Sequence, residues 1–294
     1  MRLADDSPLR IISADSVMVY RYLDIGSAKP SASELERYPH DLIDLVEPEH
    51  PFDVGQFLLH AKRSIQNAWQ CDEIPCLVGG TILYLRSLLD GLDALPEADP
   101  NIRKRIREKA ERQGWPAIHA WLKSLDPGAA DMIHPNHSSR LERALEVRLK
   151  TGESIRSFWT EGPSELTIND EKANLAVLAL MPTDREKLKE RLNRRFDSML
   201  DRGFVDEVQF LQARSGLTNT CPSMRSVGYR QIWQYLDNEI SETEMREQAQ
   251  AATRQLAKRQ LTWLRSWRAD TNKLIKVSDS LPVAEGKTWL SKVF

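Results

Sequence analysis

Two short segments place groups capable of chemistry at the ends of apolar runs. Leu9 to Ser13 (L-R-I-I-S) is a β-branched run that empties into Ala14-Asp15-Ser16, so Asp15 sits where a buried strand gives way to a loop. A carboxylate there can be poised by its neighbours to take a proton as a general base, although an Asp-Ser pair is equally an N-cap. A second run of the same buried-strand pattern, Ile74 to Val78 (I-P-C-L-V), ends in Gly79-Gly80-Thr81 and leads into the amphipathic stretch Ile82 to Leu89. A Gly-Gly turn entering a helix aims backbone N–H groups and the Thr81 hydroxyl at a phosphate or a polar base edge. Taken alone it reads as a tight strand-to-helix connection.

Near the other end, Arg254 to Trp267 (R-Q-L-A-K-R-Q-L-T-W-L-R-S-W) separates two chemistries on a helical wheel. Leu256, Trp263, Leu264 and Trp267 fall on one face and Arg254, Lys258 and Arg265 on the opposite one, which predicts a helix anchored on its apolar side. The tryptophans read as core rather than as platforms for stacked bases. From Arg246 to Lys276 the charge is +6, whereas the whole chain carries -2. Clustered cation on an otherwise acidic protein fits a polyanion at one face, and a solvated helix surface is the alternative. Arg140 and Arg143, one turn apart and set against Leu141 and Leu145, are open to the same two readings.

These groups need a scaffold. The two strand runs, a third apolar run from Asn174 to Met181 and weaker candidates at His40 to Val46 and Lys273 to Val277 alternate with helical patterns, which predicts an α/β fold with a parallel sheet. Ligands of such sheets collect beyond the carboxyl ends of the strands, where Asp15 and Thr81 fall. Between Pro96 and Pro163 the strand signal gives way to helix, opened by Asp99-Pro100 and followed by Gly152. The organisation expected is therefore a core over residues 1–95, a helical insertion over 96–165, and the rest of the core with C-terminal helices over 166–294.

The 294 residues are 29% charged and 41% hydrophobic, with no run near the ~18 apolar residues of a membrane span. The start, M-R-L-A-D-D-S-P-L-R, carries acids where a signal peptide has a basic start followed by an apolar stretch, so export is not expected. Cys71, Cys76 and Cys221 lack the number and spacing of a disulfide framework or a zinc site, so a reducing cytoplasm is expected. Gly286-Lys287-Thr288 imitates the end of a phosphate loop but has Leu281 where the first glycine belongs. His134 and His137 have no accompanying ligands, so a loop around Pro135 is expected there.

Five motifs in register carry a resemblance to a known family: D-I-G-S-A-K-P (Asp24 to Pro30), G-G-T-I-L-Y (Gly79 to Tyr84), R-L-E-R-A-L-E-V (Arg140 to Val147), S-V-G-Y-R-Q (Ser226 to Gln231) and R-Q-L-A-K-R-Q-L-T-W-L-R (Arg254 to Arg265). From about Arg10 to about Arg268 the chain resembles the tRNA isopentenyltransferases, or tRNA dimethylallyltransferases, of bacterial type. The resemblance implies a P-loop-NTPase-like parallel sheet flanked by helices, with an all-helical insertion that clamps an anticodon stem-loop. The family begins with a strand and a G-x-x-x-x-G-K-[ST]-like loop. This sequence contains neither, and a start placed too far downstream is preferred over a shortened protein.

The activity implied is transfer of a dimethylallyl group from dimethylallyl diphosphate to N6 of adenosine 37, just 3′ of the anticodon, in tRNAs reading codons that begin with U. By position in the family's motifs Asp15 is the catalytic carboxylate, Thr81 hydrogen-bonds at the reacting centre and Arg225 takes the departing diphosphate, with Gly79 and Gly80 beside it. A planar guanidinium with bidentate donors suits that role. Magnesium is expected to offset charge on the leaving oxygen. The tRNA-contacting positions implied are Asp15, Ser16, Val17, Met18, Thr81 and Arg103, with Ser139, Arg140, Leu141, Glu142 and Arg143. Further along they are Arg225, Ser226, Val227, Gly228, Tyr229 and Arg230, then Lys258, Arg259, Gln260, Leu261, Thr262, Trp263, Leu264 and Arg265. A monomer is expected, and an RNA-binding protein without catalysis is the second reading.

Overall fold

The computed structural model describes residues 4–5, 7–90, 95–158, 167–168, 171–172, 177–270 and 274–277. In chain order the elements are β1 (Leu9–Ser13), α1 (Ala32–Arg37), β2 (His40–Asp41), α2 (Val54–Gln70), β3 (Ile74–Val78), α3 (Ile82–Asp90), α4 (Pro100–Gln113), α5 (Trp115–Leu125), α6 (Pro127–Ala130) and α7 (Ser138–Thr151). They continue with β4 (Thr167–Ile168), β5 (Glu171–Lys172), β6 (Val177–Leu180), α8 (Arg185–Asp201), α9 (Phe204–Gln212), α10 (Tyr229–Leu236), α11 (Glu242–Asp270) and β7 (Leu274–Val277). The chain packs as two compact units, one of Met1–Leu88 with Leu166–Phe294 and one of Leu89–Glu165.

In the first unit β1 is the middle strand of a parallel sheet ordered β2-β1-β3, with Leu9 opposite Ile74 and Ser13 opposite Val78. Parallel strands need long crossovers, and α2 lies in the one that carries the chain from β2 past β1 to β3. Phe57, Ala61, Ser64, Ile65 and Ala68 recur every three or four residues and form its buried stripe. Asp53 fixes where α2 begins: its carboxylate accepts from the Gln56 N–H at 3.0 Å while the Gln56 side chain accepts from the Asp53 N–H. Around these elements Ile12, Leu23, Phe57, Tyr84, Phe204 and Tyr229 join one hydrophobic core, in which Phe57 and Tyr84 stack at 4.3 Å.

Three expectations about the sheet are corrected. The strand expected over His40 to Val46 ends at Asp41, because Leu42 and Asp44 take positive φ, and only a bridge from Val46 to Tyr20 remains. The run Ile74 to Val78 is a half-buried edge, with Val78 54% exposed, because no second strand among the described residues pairs with its outer side. Finally, β6 pairs in parallel with β7, Val177 opposite Leu274, and not with the three-stranded sheet.

The second unit is helical: α4, α5, α6 and α7 close around Ile106, Ile118, Leu122, Leu141 and Leu145. Asp99 caps α4 by accepting from Asn101 N at 2.9 Å and Ile102 N at 3.1 Å, with Pro100 at the first helical position, where its missing N–H costs nothing. Gly152, at φ 78°, closes α7. His134 and His137 lie in the turn before α7, and among the described residues no three potential ligands gather. Gly286, Lys287 and Thr288 lie outside the described residues.

Candidate active site

The carboxyl ends of β1 and β3 converge because Gly79 has no side chain. A Cβ there would overlap the backbone carbonyl of Ala14, whose oxygen accepts from Thr81 N at 3.2 Å while Ala14 N donates to Val78 O at 2.8 Å. This close approach sets Thr81 beside the loop that follows β1. Thr81 Oγ1 accepts from Ser16 N at 3.0 Å and lies 3.2 Å from Ser16 Oγ. Asp15 Oδ1 accepts from Val17 N at 2.8 Å and Met18 N at 3.2 Å, an Asx turn that fixes the carboxylate. Its Oδ2 has no protein partner among the described residues. The structure thus brings Asp15, Ser16 and Thr81 together, each half-buried, in an arrangement that leaves one carboxylate oxygen free to accept a proton.

Helix α11 reaches this turn through Gln260, whose amide donates to Gly80 O at 2.9 Å. Gln260, expected to touch RNA, is instead occupied in anchoring the turn. The geometry separates the two glycines. Gly79→Ala would press Cβ on rigid backbone and is expected to cost roughly 1–3 kcal/mol. Gly80→Ala would meet only the end of Gln260 and break its one hydrogen bond, about 1 kcal/mol. Urea unfolding of the two variants should rank them in that order, and equal midpoints would contradict the packing described.

Arg225 ends a 3₁₀ turn, exposed and without an ion pair among the described residues, and Arg230 is also exposed. Ser226 and Val227 are half-buried. Gly228 and Tyr229, expected on RNA, are buried instead, and the Tyr229 hydroxyl donates to Glu207 at 2.7 Å. Burial, reinforced by that carboxylate, holds the phenol well above its ordinary value. Glu207 also accepts from the N–H groups of Asp24 at 3.1 Å, Ile25 at 2.6 Å and Gly26 at 3.2 Å. One α9 carboxylate therefore ties the D-I-G-S-A-K-P loop to the start of α10. No motif flagged Glu207; its only signal is an acid in the first turn of a helix.

On α11 the wheel reading is corrected. Leu256 and Trp263 are 38% and 39% exposed, while Ala257, Gln260, Leu261 and Leu264 form the half-buried face, because the packed stripe continues from Met245 and Ala249 at spacings of three and four. Trp263 instead lies under the Arg86 guanidinium at 5.1 Å. The Trp267 side chain lies outside the described residues. Lys258, Arg259, Thr262 and Arg265 are exposed.

In the helical unit Ser139 and Arg140 are exposed, but Leu141 is fully buried in the core. Arg103 and Arg143, expected at phosphates, converge on Glu146, a carboxylate with 0% exposure: Arg103 Nε to Oε1 is 2.8 Å and Arg143 Nη1 to Oε2 is 2.5 Å. Arg143 also donates to Pro96 O at 2.7 Å, and Glu142 takes a two-pronged bond from Arg107. Buried carboxylates claim these cations because an unpaired buried charge is expensive. A Glu three residues after an Arg on the apolar face was the available signal.

The family model described as IPP transferase matches residues 18–267. Among curated proteins the chain is 48% identical to tRNA dimethylallyltransferase 2 of Hahella chejuensis over 276 residues, 91% of this chain and 83% of that one. It is 48% identical to the tRNA dimethylallyltransferase of Thiobacillus denitrificans over 260 residues, 88% and 82% of the two chains. Among solved structures it is similar to the full-length tRNA isopentenylpyrophosphate transferase of Bacillus halodurans, at 31% identity and TM-score 0.67, covering 99% of this chain and 89% of that one. A eukaryotic dimethylallyltransferase acting on tRNA, 24% identical, shares the fold at TM-score 0.76, with 99% and 72% covered.

Proposed function

The chain belongs to the IPP transferase family, and on that premise we propose that it transfers a dimethylallyl group from dimethylallyl diphosphate to N6 of adenosine 37 of tRNA, with Asp15 as general base. The observation that carries the assignment of roles is the Asp15–Ser16–Thr81 cluster at the converging strand ends. The exocyclic amine is a weak nucleophile because its lone pair is delocalised into the ring. A carboxylate oxygen free to take its proton as the new bond forms answers that weakness. In the step, N6 bonds to the allylic carbon, the carbon–oxygen bond breaks with its electron pair going to the diphosphate, and the N6 proton passes to Asp15. Arg225, exposed and without an ion pair among the described residues, is suited to hold the departing diphosphate.

The amine of a stacked base cannot meet a half-buried carboxylate, so the adenosine is extruded from the loop. Thr81 and Ser16 offer hydroxyls to the flipped base edge. The described residues do not form a protein cage for magnesium, since no three potential ligands gather. Any such ion would arrive with the diphosphate, as hard, reluctantly dehydrated cations commonly do. Among the described residues no helix is long and apolar enough to cross a membrane, and Cys71, Cys76 and Cys221 are free thiols. These features support the reading of a cytoplasmic enzyme, which we take to act as a monomer.

The test uses labelled dimethylallyl diphosphate and an anticodon stem-loop carrying either adenosine or inosine at position 37. Label is expected on the adenosine RNA alone, with one pyrophosphate released per label. RNA bound without label in either case would move the non-catalytic reading to the front.

A further inference from the structure

Helices α8 and α11 run antiparallel, and their pairing changes character along its length. At one end Asp197 accepts from Arg246 at 3.0 Å and from Gln250 at 3.3 Å, and Asn193 accepts from Arg254 at 3.0 Å. Each cation of α11 there meets an acidic or polar partner on α8. Carried toward the start of α8, the same register sets Lys189 level with Lys258, and Arg185 lies near Thr262 and Arg265. The complement is gone: two cationic rows border a groove of about 330 Å³. Leu188, Leu192 and Leu261 floor it. Among the described residues Arg185, Lys258 and Arg265 have no ion pair, and Lys189 has only exposed Glu186, at 3.6 Å. The amino end of α8 is capped by Asp184, whose carboxylate accepts from Glu186 N and Lys187 N at 3.0 Å each, so the cations of the groove rather than the helix end carry its charge.

Facing rows of like charge repel unless an anion lies between them. We propose that this groove is a docking site for the phosphodiester backbone of the tRNA substrate, with Arg185 and Lys189 of α8 as RNA-contacting residues; the proposal rests on the reading that tRNA is the substrate. The shape argues for a strand over a single small anion. Lys258 to Arg265 extends about 10 Å along the helix axis at ~1.5 Å per residue, a row suited to two successive phosphates. The cationic heads of Arg185, Lys189, Lys258 and Arg265 are exposed, not enclosed as in a pocket for a free diphosphate. The apolar floor accommodates a sugar or base edge between phosphates.

The test measures binding of full-length substrate tRNA by fluorescence anisotropy from about 50 to 300 mM salt. It compares the unaltered protein, Arg185→Ala/Lys189→Ala, and Lys187→Ala on the same helix but outside the groove. Alanine preserves helix, so folding is not at stake. The double variant is expected to weaken binding about tenfold and to flatten the slope of log affinity against log salt by about 1.5, two phosphate contacts at roughly 0.7–0.9 each. Lys187→Ala is expected to keep the slope. An unchanged slope in the double variant, or an equal loss in Lys187→Ala, overturns the groove. Dimethylallyl transfer by the unaltered protein is scored separately: transfer with an unmoved slope removes only the groove. A flattened slope without transfer leaves the groove and removes the transferase reading.

Discussion

Asp15→Asn is expected to lower kcat for dimethylallyl transfer by about 10²–10⁴-fold while tRNA still binds, the usual range for removal of a general base. The choice of asparagine follows from the geometry. Asp15 Oδ1 is committed to Val17 N and Met18 N, so an amide oxygen can keep the Asx turn and hold Ser16 beside Thr81. What changes is the other atom: the free Oδ2 becomes an amide nitrogen that cannot accept the N6 proton. Asp15→Ala removes both functions and adds the loss of the turn, about 1 kcal/mol. The two variants therefore separate chemistry from loop order. Single-turnover transfer at saturating tRNA and diphosphate is the measurement, with tRNA affinity measured alongside. A rate for Asp15→Asn within about threefold of the unaltered protein would remove Asp15 as the base and leave it a loop-fixing residue.

Much of this site was legible because it depends on local sequence. β1 and β3 lie where the apolar runs placed them, and Gly79-Gly80-Thr81 is the turn that closes one strand end onto the other. The long-range pairings were not legible. Glu207 grips the Asp24 to Gly26 loop across more than 180 residues of sequence, and nothing local distinguishes it from any other acid early in a helix. Gln260 is hidden for a related reason: its motif is cationic, so an amide within it reads as part of an RNA face until the fold sets it against Gly80 O. The 14 residues from Arg254 to Trp267 do not by themselves set the phase of the α11 stripe. The packed stripe is set from Met245 and Ala249 onward, and that phase carries Trp263 out to solvent. The Arg cluster of the helical unit misled in the opposite direction. Arg143 suits a phosphate by charge and spacing and Arg103 by the resemblance, yet the packing of α7 buries Glu146 among them, and it claims both.

That claim gives Glu146 a structural role in the helical unit. Its carboxylate has 0% exposure and accepts from Arg103, Arg143 and the Asp99 N–H, the last at 2.7 Å, so one residue ties α7 to the start of α4. Burial alone raises the carboxyl pKa, but the hydrogen bonds from Arg103, Arg143 and Asp99 N outweigh it and the net shift is downward. A carboxyl group with a depressed folded pKa contributes stability above its unfolded value, about 4.3, and that contribution is lost as pH falls through the folded pKa. Glu146→Gln keeps the shape but removes the charge that both guanidinium groups face, leaving Arg143 its bond to Pro96 O and Arg103 a 3.7 Å approach to Glu142; breaking a buried pair costs roughly 3–5 kcal/mol. Both arginines keep a quarter to a third of their side-chain exposure, so the lower end, about 3 kcal/mol, is expected. For a unit of this size that lowers the melting midpoint by roughly 12–24 °C. Lys104→Ala, which breaks an exposed pair with Glu108, is expected to cost under about 1 kcal/mol. Differential scanning calorimetry at neutral pH, repeated down to about pH 3.5, checks both parts. The unaltered protein should lose midpoint across the acid range and Glu146→Gln should lose less of it. A neutral-pH shift of only about 3 °C would mean that the arginines are carried by solvent, which would return Arg103 and Arg143 to the set of cations available to RNA.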